Sequence, residues 1–348
     1  MRKFDYKKYE NKKWDSEILG LVAQIHEYKG RQELFLKQRP KELERLVELA
    51  KVQSTEASNE IEGIRTTNTR LKQLCADKTA PKNRDEEEIM GYRDVLNTIH
   101  ENYKYIPVKS SYILQLHRDL YKYSQKAIGG RFKNSQNYIS AVNEAGEEYV
   151  LFTPLAPYET APAIDAICEN YNRMLDEGSV DILLLIPIFI HDFLCIHPFS
   201  DGNGRMSRLL TTLLLYKNGY LVGKYISLES KIAKNKIKYY QVLEECQIGW
   251  HEGEEHVAAF TKYILQTVLA AYRDFEDRVN VVGEKMTAIE MVERAVSRKY
   301  GKITKSDIME SCPTIGQKSV EAAIKKLVDK GVLIKKGNGR GAYYLRND

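Results

Sequence analysis

"HPFSDGNGRMSR", residues 197–208, sets a histidine, an aspartate, an asparagine, two glycines and two arginines in twelve positions directly behind an apolar run. From Met206 onward the apolar residues Met206, Leu209, Leu210, Leu213 and Leu214 recur at the spacing of one helix face, which predicts a core-facing helix beginning near Arg205. "DGNG" is then the turn that feeds its N-terminus. Backbone N–H groups left free there, with the positive end of the helix dipole, make an anion site, and glycine lets a phosphate come close. Arg205 and Arg208 lie three apart on one side of the helix and off its apolar stripe; two such guanidiniums suit a polyphosphate. Asp201 is an oxygen ligand of the kind Mg²⁺ takes while it bridges phosphates. His197, held extended by Pro198, is the natural general base of the loop at neutral pH. Taken singly these are ordinary turn residues. Gathered in one loop that opens a helix, they are hard to ascribe to packing. The stretch is not a Walker A loop, which requires GxxxxGK followed by Ser or Thr.

The surroundings narrow the class. "ILLLIPIFI" at 182–190 is too short to span a bilayer and runs into His191 and Asp192, so it predicts a buried helix with His191 in the core. The chain has 348 residues, 43% hydrophobic and 29% charged, which excludes wholesale disorder and allows one large domain or two to three smaller ones. A net charge of +5 permits anionic ligands without arguing for nucleic acid. Five scattered cysteines with no CxxC pair read as reduced thiols, neither a disulfide framework nor a zinc site. "HEGEEH" at 251–256 has the wrong spacing for the zinc-binding HExxH. The charged, aromatic N-terminus has no signal-peptide core. These features predict a soluble cytoplasmic protein with no membrane partner.

Helical patterns run over 40–53, 84–103 and 110–122. Residues 129–154 lose that period and carry β-type flanks on either side of "NEAGEE", predicting a hairpin. Helices resume near 159 and continue to about 280. The last sixty or so residues read as helix, helix, helix, then strand, Gly-rich turn and strand, with "GNGRG" (337–341) as a wing turn. A stripe of Ile289, Val292, Val296, Ile308, Ile324, Leu327 and Val328 supplies this segment with its own core. The order resembles a winged helix-turn-helix domain.

"HPFSDGNGRMSR" matches the Fic-family signature HPFx(D/E)GNGRxxR at every specified position, and most of the chain from about 40 to 275 resembles a family member. The resemblance implies a mainly α fold: a Fic-type helical core with a small β-hairpin flap, here followed by the winged helix. It implies transfer of AMP from ATP to a Tyr, Ser or Thr hydroxyl of a target protein. His197 would deprotonate that hydroxyl and Asp201 would hold Mg²⁺. Asn203 and the amides around Gly202 and Gly204 would bind phosphate oxygens, and Arg205 and Arg208 the β- and γ-phosphates. Phosphotransferase relatives carry lysine in place of the second glycine, so Gly204 favours nucleotidyl transfer. "SNEIEGI" (58–64), by itself an N-cap serine, a short helix and a Gly stop, resembles the family's (S/T)xxxE(G/N) inhibitory motif through Ser58, Glu62 and Gly63. Glu62 would then pair with Arg208 in the place of the γ-phosphate. Tyr239 and Tyr240 would pack the nucleotide base, and Phe152 and Pro154 of the flap would clamp the target side chain.

The expected organisation is an N-terminal helical region with the inhibitory motif (1–109), the Fic core with trailing helices (110–283) and the winged helix (284–348). Self-modification and a homodimer are compatible with it. Two other readings stand beside AMP transfer. One is removal of AMP at the same site, with Glu62 directing water. The other is a DNA-binding transcriptional regulator that uses the Fic core as a ligand sensor. The winged helix would meet DNA or protein; Lys335, Lys336 and Arg340 on the wing add positive charge.

Overall fold

The computed structural model describes residues 2–347 apart from 39, 143–145, 284–286, 298, 300, 313, 314, 338, 340 and 341. Arg340 of the wing and the start of the "NEAGEE" turn therefore lie outside the described residues. The chain divides into two compact units, one of residues 1–30 and 50–271, the other of 31–49 and 272–348. Among the described residues no helix is long and apolar enough to cross a membrane, and the five cysteines are free thiols.

The chain opens with helices α1 (Ser16–Gln38), α2 (Pro40–Ile61), α3 (Asn68–Cys75), α4 (Arg84–Asn102) and α5 (Ser110–Leu120). A two-stranded antiparallel hairpin follows, β1 (Ile139–Val142) and β2 (Glu148–Phe152). Then come α6 (Pro157–Glu177), α7 (Ile182–Ile196), α8 (Asn203–Lys217), α9 (Leu228–Lys234), α10 (Lys236–Cys246) and α11 (Ala258–Gly283). Residues 183–190 of α7 are buried on every side, as an all-round apolar helix must be. That helix packs against both α6 and α8, and α4 packs against α8 as well. The helix after the glycine turn starts at Asn203, two residues before the predicted start. Its polar face is no more exposed than its apolar one, because α4 and α7 both cover it.

One local reading is corrected. Ser58 is not an N-cap. It sits in the last turn of the 22-residue helix α2, whose hydrogen-bonding ladder runs on past the apolar period visible at 40–53.

In the second unit, α12 (Ala288–Ser297), β3 (Ile303–Thr304), α13 (Lys305–Ser311), α14 (Gln317–Asp329), β4 (Leu333–Lys336) and β5 (Tyr343–Arg346) follow in order. The three strands form an antiparallel sheet in the order β3–β5–β4. Val292, Val296, Ile308, Ile324 and Leu327 are buried in one cluster, with Ile289 and Val328 packed at its edge. Every member of that cluster comes from residues after 287. A segment of 287–347 made alone should therefore give a helical circular dichroism spectrum and a cooperative melt. A coil spectrum would show that its core needs the rest of the chain.

Candidate active site

Helix α7 ends at His197, which is not extended as Pro198 predicts: its N–H still closes the helix on Phe193 O, and its φ of +51° lies in the left-handed region that few side chains adopt. Such a turn persists only if its surroundings fix it. Here each carbonyl from Ile196 to Phe199 has a donor. Lys133 Nζ donates to Ile196 O at 3.1 Å, and the Lys133 backbone N–H to Pro198 O at 2.9 Å. Asn137 Nδ2 donates to His197 O at 3.2 Å and Phe199 O at 3.0 Å. Asn203 closes the loop on itself: it accepts the Phe199 N–H at 2.9 Å and donates to Phe199 O at 2.7 Å. His117 stacks flat on Phe199 with ring centres 3.6 Å apart. It accepts the Gly130 N–H at Nδ1, so its Nε2–H donates to Asp201 O at 3.1 Å.

The same logic fixes the His197 tautomer. Its Nδ1 lies 3.3 Å from Leu194 O, which can only accept, so Nδ1 carries the proton and Nε2 the lone pair. Burial lowers its pKa to about 4, with Lys133 adding to the effect, so the ring is a neutral base at physiological pH.

Around the N-terminus of α8 the charges are dense. Arg205 is 1% exposed, with Nη2 2.7 Å from Glu88 Oε2 and donating to Tyr121 OH at 2.7 Å. Its Nε and Nη1 have no hydrogen-bond partner. Glu88 also accepts from Arg84 at 2.8 Å. Asp201 Oδ1 takes the Gly202 N–H at 2.7 Å and Oδ2 takes Lys126 Nζ at 3.0 Å. Burial by itself would raise the Asp201 carboxyl, but Lys126 and Arg205 override it and hold it below the ordinary value.

Arg208 is 3% exposed and faces the end of α2. Its Nε donates to Ser58 Oγ at 2.8 Å, and its Nη2 to Ser58 O at 2.9 Å and Glu62 Oε1 at 2.8 Å. The helix stops because Gly63 takes φ +80°: Ile64 N–H reaches back to Asn59 O and Gly63 N–H to Glu60 O, both at 3.0 Å. That stop makes Glu62 the last residue of the helical path and aims it at Arg208. Gly204 faces the same carboxylate. A Cβ there would stand 2.3 Å from Glu62 Oε1, so any side chain at this position would push the carboxylate out of its present place.

The structure redistributes several expected roles. The Asn203 side chain braces the loop through the Phe199 backbone, taking up its carbonyl and one of the two hydrogens of its NH₂ group. Tyr239 is buried among Tyr240, Phe260 and Tyr263, whereas Tyr240 is 44% exposed beside Lys236. Of the pair, only Tyr240 presents a face to the solvent side. Phe152 is buried against the His251 ring, 5.2 Å away, and the edge of Trp250, and Pro154 is buried too. These are packing contacts; the exposed side chains of β2 are Glu148, Tyr149 and Val150. Reading the sequence missed His117, Lys133, Asn137, Glu88 and Lys126. Nothing in their local spacing marks them, since each acts across the fold.

Residues 107–215 match the Fic/DOC family model, and that span holds the loop. Ser58, Glu62, Tyr239 and Tyr240 lie outside the matched span. A probable protein adenylyltransferase of Aquifex aeolicus is 34% identical over 98 residues, 28% of this chain and 27% of that one. A protein adenylyltransferase of Caenorhabditis elegans is 28% identical over 110 residues, 31% of this chain and 19% of that one. The chain thus aligns with well under a third of either relative's length. A solved Fic family protein from Desulfovibrio desulfuricans shares the fold over 97% of both chains, with a TM-score of 0.62 and 18% identity. A Fic domain containing signaling protein from Bacteroides thetaiotaomicron covers 78% of this chain and 98% of its own, with a TM-score of 0.62 and 23% identity. The mainly α, Fic-type fold is that of these proteins.

The rings of His117, fully buried, and His197, partly buried, both have pKa values lowered to about 4, first of all by their removal from water. In the unfolded chain they return to about 6.5. Between those values the unfolded chain binds more protons, so folded stability is kept above about pH 6.5 and falls as the pH drops toward 4. The unfolding midpoint should decline across that window, and His117→Phe, which cannot protonate, should decline less steeply. A flat midpoint in the parent protein would contradict both assignments.

Proposed function

We propose that this chain transfers AMP from ATP to a hydroxyl side chain of a target protein, and that Glu62 holds the reaction back. The observation that carries the reading is His197, a neutral ring with its Nε2 lone pair free, fixed beside the N-terminus of α8 and the two buried guanidiniums. The incoming hydroxyl gives its proton to Nε2 as its oxygen bonds to the α-phosphorus. The bond from that phosphorus to the bridging oxygen breaks, and pyrophosphate leaves. The N–H groups that open α8, with Arg205 and Arg208, hold the phosphates and offset the charge that develops. The free edge of β2 suits a target segment adding as a strand. Asp201 fits Mg²⁺, which takes one or two carboxylates and leaves its other positions to phosphates and water. Among the described residues no three His, Cys, Asp or Glu side chains form a cage for a metal. When bound, Mg²⁺ would neutralise charge on the phosphates.

Glu62 on Arg208 stands where a terminal phosphate would be drawn, so ATP and the carboxylate compete for one cation. The carboxylate has to give way before the α-phosphate can lie in line for attack.

We also propose that 284–348 is a winged helix-turn-helix module whose partner is anionic, DNA above all. The order of α12, β3, α13, α14, β4 and β5 supports it. So does charge. Residues 287–348 hold thirteen of the chain's 53 Lys and Arg but seven of its 48 Asp and Glu, leaving 40 against 41 for the rest.

Two measurements test the enzyme reading. His197→Ala should cut incorporation of labelled AMP by about 10²–10⁴-fold while ATP still binds; more than half the activity remaining would remove its role as base. Glu62→Gly should raise incorporation, self-modification included, by about 5–150-fold, the usual size of coupling between sites. Arg208→Ala should be poor, and the double variant no better. A gain that survives the loss of Arg208 would mean that Glu62 acts elsewhere.

A further inference from the structure

Both oxygens of the Asp201 carboxylate are already in use. Oδ1 is turned into the loop by the Gly202 N–H at 2.7 Å. Oδ2 faces outward and holds Lys126 Nζ at 3.0 Å, with Arg84 Nη2 further off at 3.9 Å. The two cations differ in commitment. Arg84 is tied by its Nε to Glu88 at 2.8 Å. Lys126 sits in the turn after α5, its backbone N–H donating to Ser124 Oγ, and its half-exposed ammonium has Asp201 as its only ion-pair partner among the described residues. Arg205, the third cation, is buried on Glu88 and Tyr121 and cannot move out.

We propose that Lys126 is a resident cation of the metal position: it holds Asp201 while no metal is bound and moves onto the nucleotide's phosphates when Mg²⁺ takes Oδ2. The proposal rests on the reading of this site as one for ATP and Mg²⁺. The outward oxygen is the one a metal can reach, and the ammonium stands on it. A divalent ion arriving there would have a like charge within about 4 Å, so one of the two must withdraw. The flexible four-carbon stem and rotatable donors of lysine permit that, where a planar guanidinium locked on a carboxylate would not. The anion nearest to a displaced Lys126 is then the phosphate chain at the start of α8, immediately after Asp201. Lys126 thereby keeps the mouth of the site compensated in both states. A plain surface ion pair would do neither; such pairs are worth little and affect no ligand.

The test is calorimetric titration of ATP into the full chain as wild type, Lys126→Met and Lys126→Arg, from EDTA through rising Mg²⁺. Lys126 is on the surface, so folding is not at stake. The exchange predicts a crossing. In EDTA, Lys126→Met should bind ATP about 5-fold more weakly than wild type, because the Asp201 carboxylate is then left uncompensated and repels the phosphates. With metal, the Mg²⁺ concentration giving half-maximal binding should fall by a similar factor, because the competitor is gone. Lys126→Arg should restore the metal-free affinity. An unchanged Mg²⁺ midpoint in Lys126→Met, with ATP bound normally, would overturn the exchange and leave the ATP reading standing. Weaker binding at every Mg²⁺ level with no shift of midpoint would make Lys126 a phosphate ligand alone, which also overturns it. ATP binding to none of the three proteins would instead defeat the nucleotide reading and the proposal with it.

Discussion

Arg208 is a buried cation, and much of the site follows from the need to give it an anion. A guanidinium taken out of water without partners is untenable in a folded protein. Burial works against its charge, and Glu62 more than restores it. From that pair follow the left-handed stop at Gly63, which aims the carboxylate, and the missing side chain at Gly204, which makes room for it. Breaking the pair without supplying another anion would strand the charge; bringing a phosphate would not. The contact is thus both a structural requirement and a place where one anion can be exchanged for another.

The rest of the site divides by mobility of its groups. The floor is rigid: four consecutive carbonyls from Ile196 to Phe199 are each held by a side chain or backbone donor, and His117 lies flat beneath. Burial lowers the Lys133 ammonium to about 8, the cost of placing a cation where it can hold Ile196 O and the Asn137 side chain. The rim is looser, built from Asp201, Lys126 and Arg84, all partly in solvent. A reacting base needs the first kind of support, and a changing ligand the second.

What the sequence disclosed tracks how local each signal is. The buried helix at 182–190, the hairpin, the glycine turn opening a helix and the stripe of the C-terminal segment all depend on spacing within a few turns of chain, and all were legible. Glu62 was legible only through its resemblance to a known motif, because its partner lies 146 positions away. His117, Lys133 and Asn137 gave no signal, since a residue that holds a carbonyl across the fold has no period. Asn203 shows a related limit. A motif shows that an amide is wanted but not which neighbour it serves, and here the loop claims it. An aromatic on a short strand reads alike whether it faces a partner or the core, and Phe152 packs against Trp250; Pro154, past the end of β2, is buried too.

The end of α2 has one more consequence. A helix leaves its last four carbonyls without intrahelical donors. Those of Asn59 and Glu60 are satisfied by the backbone turn at Gly63, that of Ser58 by Arg208 and that of Ile61 by Lys236 Nζ. Two cations therefore cap the negative pole of a 22-residue helix, and one of them is the arginine that Glu62 holds. Taking away the Glu62 carboxylate removes a full charge but leaves the pole, roughly half an elementary charge, still pointed at Arg208. An anion that reaches this arginine will always share it with the carboxyl end of a helix, so the position is tuned toward weak, reversible occupancy even with the acidic side chain gone.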